Sequence, residues 1–96
     1  MRYSTILLDA DMTIFDAIIY IADYIEVGRT NDFCVRLRDY FWAAEPTKMN
    51  TEERVMHLWK TVLLSLEMTV ENITARGGVV DNATLAARDA IIAKLN

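Results

Sequence analysis

Between Ile14 and Leu95 apolar residues return every three or four positions, and only three glycines and one proline are available to interrupt them. A period near 3.6 gathers such residues on one side of an α-helix, whereas an all-β domain would need many more turn residues. Four stretches carry the pattern. Ile14, Ala17, Ile18, Ile21 and Ile25 form one stripe that ends near Gly28. Thr30 or Asn31 can cap a second helix with Phe33, Leu37, Tyr40, Phe41 and Ala44 inward, and Pro46 stops it. Asn50 followed by Glu53 is the capping-box signature of a third. Its stripe is Val55, Trp59, Val62, Leu66, Val70 and Ile73, with Gly77 and Gly78 as a C-terminal stop. The fourth runs from about Asp81 or Asn82 to Leu95, with Leu85, Ala87, Ile91, Ile92 and Leu95 inward. Outside these, only residues 4–8 and 78–80 read as strand. The expectation is a mainly α fold of about four helices in a small antiparallel bundle. Residues 1–96 form one small domain, and the N-terminal stretch is helical or one short strand.

A chain of 96 residues buries only about two thirds of its unfolded surface, so its core is modest. The composition is nevertheless 53% hydrophobic with mean hydropathy +0.14. Part of that apolar surface is expected to meet a partner, and a homodimer or higher oligomer is the simplest form. Charge is unevenly placed: residues 1–26 hold Asp9, Asp11, Asp16, Asp23 and Glu26 against Arg2 alone, and the remainder is balanced. Without a basic stripe the chain is unsuited to gripping nucleic acid. No apolar run approaches the roughly 20 residues of a membrane span. Asp9 and Asp11 interrupt what a signal peptide would keep apolar, and the lone Cys34 suits a reducing compartment. The expected location is cytoplasmic, which makes the glycosylation-type triplets at Asn72 and Asn82 chance matches.

Near the N-terminus Ile6, Leu7 and Leu8 lead into Asp9, Asp11 and Thr13 at alternate positions, followed by Ile14, Phe15 and Asp16. This arrangement resembles the first motif of the haloacid dehalogenase-like phosphohydrolases, a hydrophobic strand ending in Asp-x-Asp-x-Thr. The resemblance implies that Asp9 is a nucleophile forming an aspartyl-phosphate and Asp11 the general acid and base. It also implies that magnesium is held between Asp9, Asp11 and the phosphate, with Thr13 orienting the loop. The sequence departs from the family at Met12, where Gly or a small or polar residue is usual. The family's later motifs, a Ser or Thr, a phosphate-neutralising Lys and a second acidic pair, are absent, and Lys60 and Lys94 match none of them. In family order the first motif is followed by cap helices, so the chain looks like the first third of such an enzyme.

The same residues also read as a helix capped by Ser4. Leu7, Ile14, Ile18, Ile21 and Ile25 would line one side of it, and Asp9, Thr13, Asp16, Tyr20 and Asp23 a solvated other. A lone parallel strand leaves its backbone groups unpaired, so the helix is the expectation adopted here. Under it Asp9 and Asp11 are surface acids. His57 has no marked nucleophile beside it and reads as structural; Cys34 reads as a small buried residue. Trp42 and Trp59 read as core or interface, Arg36 and Tyr40 as a solvated face, and Met49, Met56 and Met68 as gap-filling residues or an adaptable surface. The functional expectation is a non-enzymatic binding or regulatory protein that acts through protein contacts and needs no cofactor. The alternative is a magnesium-dependent phosphohydrolase with Asp9 and Asp11 as catalytic and metal residues, completed by a partner chain.

Overall fold

A computed structural model describes residues 13–26, 28 and 30–96. Four α-helices follow in order: α1 Ile14–Tyr24, α2 Asp32–Ala43, α3 Thr51–Ala75 and α4 Asn82–Leu95. A 3-10 turn, Pro46–Lys48, precedes α3, and among the described residues there is no strand. The mainly helical reading holds, and residues 78–80, one of the two strand candidates, are irregular.

Each helix begins where a short polar side chain can take up an orphan amide. Asn50 accepts from the Glu53 amide at 2.9 Å while the Glu53 carboxylate accepts from the Asn50 amide at 3.0 Å, the reciprocal box read from sequence. Asn31 accepts from the Cys34 amide and Asp81 from that of Thr84. The α3 terminus is a Schellman motif: the Gly78 amide reaches the Ile73 carbonyl, and that of Gly77 the Thr74 carbonyl. Gly77 sits at φ 76°, a conformation that costs a side-chain-bearing residue energy.

α3 is the longest helix and packs against all three others and the 3-10 turn. The core around it joins Ala17 and Ile21 of α1, Leu37 of α2, Leu58, Trp59, Val62 and Leu66 of α3, and Ala87 and Ile91 of α4. Two buried polar residues on α3 bond to their own helix. Thr61 donates to the His57 carbonyl at 2.8 Å and Ser65 to that of Val62 at 2.6 Å, so neither needs a partner from elsewhere. Arg38 donates to the Glu26 carbonyl just beyond α1, and Arg54 to the carbonyls of Pro46 and Met49. These two arginines tie the loops to the bundle.

α1 departs from the expectation in two ways. A single helix from Ser4 to Ile25 does not exist, because Thr13 is extended at φ −92°, ψ 169° and helical geometry starts at Ile14. The Thr13 hydroxyl accepts from the Asp16 amide at 3.1 Å, and the Asp16 carboxylate accepts from the Thr13 amide at 3.0 Å. Asp16 is therefore a capping group on the solvent side of the helix. The inward face is also rotated from the stripe read in sequence. Ala17, Ile21, Tyr20 and Tyr24 pack inward, while Ile14 and Ile18 stay exposed. Tyr20, expected in water, pairs its hydroxyl with that of Ser65 at 3.1 Å. Burial pushes its phenol well above the ordinary tyrosine range.

Candidate interaction surface

With the inner face of α1 settled, its outer face is unexpectedly apolar. Nine of the eleven α1 residues are apolar or aromatic, Asp16 and Asp23 being the exceptions. A helix apolar all round is normally covered all round. Here Phe15 is 67% exposed, Ile18 49%, Ile19 39% and Ile14 37%, and the neighbouring Ala22 is exposed as well. Phe15, Ile18, Ile19 and Ala22 follow at i, i+3, i+4 and i+7, the spacing of one continuous helical ridge.

Beside this ridge runs a groove of about 280 Å³. It is lined by Ile14, Ile18 and Ile25 of α1, Phe41 of α2, and Val55 and Leu58 of α3. The polar residues along it are Thr51 and Arg54, and the Arg54 guanidinium already serves two loop carbonyls. Such a surface has little to offer a phosphate or a sugar. It can desolvate an aliphatic or aromatic side chain, at roughly 25 cal/mol per Å² of apolar surface removed from water. A second cleft between α2 and α3, lined by Asp32, Arg36, Glu71 and Asn72, mixes opposite charges and collects no one sign.

Asp9 and Asp11, the candidate catalytic and magnesium-binding residues, lie outside the described residues, as do residues 4–8. Thr13, which the family resemblance makes a loop residue, is itself extended and caps α1. Among the described residues no three His, Cys, Asp or Glu side chains converge as a metal site would require. Lys94 sits over the Trp59 ring at 5.2 Å, and Lys60 is exposed on α3.

His57 is a structural group. It is buried, its Nε2 lies 2.9 Å from the Phe41 carbonyl, and its ring packs on Phe41 at 5.2 Å and Tyr40 at 5.5 Å. The Phe41 carbonyl belongs to the last turn of α2 and has no amide donor within its own helix, so the histidine of α3 caps α2. Cys34 is buried, as expected of a small packing residue. Trp59 is core, but Trp42 is half exposed with its ring edge-on to Phe41, so it is not a core residue. Met68 is buried and Met56 exposed.

No family profile matches the chain. No curated protein and no solved structure is similar enough to it to bear on its fold or function.

Proposed function

We propose that this is a non-enzymatic helical binding protein, whose working surface is the exposed ridge of α1 with the adjoining groove. The observation that carries the reading is the apolar outer face of α1, where Phe15, Ile18, Ile19 and Ala22 face solvent beside a groove of nearly pure hydrocarbon. Contiguous apolar surface of this kind marks contact sites for other proteins, and a groove of three helical turns suits an amphipathic helix. Magnesium or another cofactor has no part in this reading. The test is photocrosslinking in cells that carry the gene, from p-benzoylphenylalanine placed at position 18 or, as control, at position 83 on α4. Adducts from position 18 alone, abolished by Ile19→Asp, support the proposal; equal adducts from both positions sink it.

A second reading draws on the extended backbone of Thr13, which ends the Asp9–Asp11–Thr13 stretch in a segment entering a helix, the order a strand–loop–helix motif requires. Under it, Asp9 is the nucleophile of a haloacid dehalogenase-like phosphohydrolase, Asp11 its acid and base, and both hold magnesium. A partner chain adds the missing lysine and acidic pair. The bundle then stands where cap helices follow the first motif. We rank it second because transfer of a phosphoryl group depends on countercharge around the phosphate, and the sequence lacks the motifs that provide it. Magnesium-dependent hydrolysis of an aryl phosphate by the pure protein, lost in Asp9→Asn, would reverse the order.

A further inference from the structure

We infer that the occupant of the α1 surface is a second copy of this chain, paired through α1 about a two-fold axis that runs parallel to the helix. This rests on the binding reading above and adds the identity of the partner. Three observations carry it.

The first is area. Phe15, Ile18, Ile19 and Ile14, with Val55 on α3, keep between 37% and 67% of their surfaces exposed. An aromatic side chain brings roughly 200 Å² and an aliphatic one somewhat less, so the patch offers on the order of 400 Å² of apolar surface. A standard interface takes about 800 Å² from each partner, and homodimer interfaces are about 65% apolar. The apolar patch on one copy therefore supplies most of the apolar area that a dimer interface takes from each partner.

The second is shape. Successive α-helical residues are turned by about 100°, so ridge, groove and acids can be ordered around α1. The ridge of Phe15, Ile18, Ile19 and Ala22 lies between a flank facing the groove and a flank carrying Asp16 and Asp23. A two-fold axis parallel to α1 turns the flanks of the second copy over. Each ridge can then enter the groove of the other copy, as an isologous contact demands. An antiparallel pairing would set the two grooves against each other on one side, so that neither ridge would meet the groove of the other copy.

The third is charge. The parallel arrangement keeps the Asp16–Asp23 flanks of the two copies apart, each lying toward the first turns of α3 in the other, where Arg54 and the helix's positive end stand against Glu52 and Glu53. Antiparallel pairing would instead set the acids of the two copies side by side, at a cost.

Sedimentation equilibrium of the full chain at neutral pH tests the inference, with Phe15→Asp and Ile19→Lys beside the wild type. Both positions are exposed, and an aspartate in the first turn of α1 favours the helix, so circular dichroism should match in all three. The expected result is a wild-type dimer at about 50 µM chain, with each substitution weakening association by at least about tenfold. A wild-type monomer at that concentration overturns the inference, and so does a dimer that both variants keep. If the wild type is monomeric while position 18 still crosslinks in cells, this inference alone fails. If both signals are missing, the binding reading fails with it.

Discussion

Replacing Tyr20 by phenylalanine isolates one hydroxyl in the buried contact between α1 and α3. In the native protein the Ser65 hydroxyl lies 2.6 Å from the Val62 carbonyl and 3.1 Å from the Tyr20 hydroxyl. The serine hydroxyl is placed to donate to both oxygens, so the phenol oxygen accepts a bond that phenylalanine cannot. Losing that bond at pH 7 should cost about 1 kcal/mol, the usual net value of one intramolecular hydrogen bond. Alkaline pH reverses the comparison. Burial holds the phenol protonated well above the ordinary tyrosine value of 10.0, while in the unfolded chain it ionises near that value. A group whose folded pKa is raised contributes stability in full below its unfolded pKa and loses it as pH climbs toward the folded one. Above pH 10 the wild type should therefore lose about 1.4 kcal/mol of this contribution per pH unit, whereas the Tyr20→Phe variant has nothing to ionise at this position. The two proteins should be equally stable between pH 10 and 11, at about pH 10.7, with the variant ahead at pH 11. Urea denaturation of both at pH 7, 10 and 11 measures this, because the other titrating groups cancel in the difference. A wild-type advantage that stays constant from pH 7 to 11 would mean that the phenol is solvated in the folded protein, and the packing described for α1 would be wrong.

Three further changes probe the helix ends. His57→Ala removes the donor to the Phe41 carbonyl and the ring between Tyr40 and Phe41; it should cost about 2 kcal/mol, read as a fall of roughly 8–16 °C in Tm. Gly77→Ala forces a Cβ into a left-handed conformation and should cost about 1 kcal/mol in thermal unfolding, although open space surrounds the site. The Asp81 carboxyl is held below its ordinary value by the Thr84 amide, so its contribution is complete above about pH 4 and fades as pH falls through the folded pKa. Asp81→Ala should be less stable at pH 7, with a difference from wild type that shrinks on acid titration followed by circular dichroism at 222 nm.

The helix boundaries are legible because each rests on local chemistry that a few residues spell out. Asn50 with Glu53, the pair of glycines after Arg76, and Asp81 before Asn82 fall where the structure has them. Thr13 with Asp16 belongs to the same class: four residues apart counting both ends, they make the same reciprocal box as Asn50 and Glu53. The apolar lead-in at residues 6–8 hides it, because the stripe of α1 can be extended backward through it. The roles of Ser65 and Thr61 are hidden for another reason. Hydropathy counts a hydroxyl as polar, whereas on α3 each is satisfied by a carbonyl one turn earlier and can be buried without loss. His57 as a cap for α2 depends on how two helices meet, sixteen residues apart, and no local pattern encodes that.

The inner face of α1 is read correctly at Ala17, Ile21 and Ile25 and misread at Ile14, Ile18 and Tyr20, for a reason that bears on function. Hydrophobic periodicity selects an inner face only when the opposite face is polar, and in α1 the opposite face is not. Isoleucines recur at 14, 18, 19, 21 and 25, so the stripe through Ile14 and Ile18 and the stripe through Ala17 and Ile21 fit equally well. Packing decides between them through Tyr20 and Tyr24, whose rings lie 4.8 Å apart and extend to Phe33 of α2, an aromatic contact that Ile14 and Ile18 could not supply. What remains outside is the second stripe. Monomer stability gives no reason to keep Phe15, Ile18 and Ile19 in water, where polar residues would serve the same helix without exposing hydrocarbon. The ambiguity that defeats the periodicity is the property of a helix with two apolar faces, one turned to its own core and one, on the reading proposed above, to another chain.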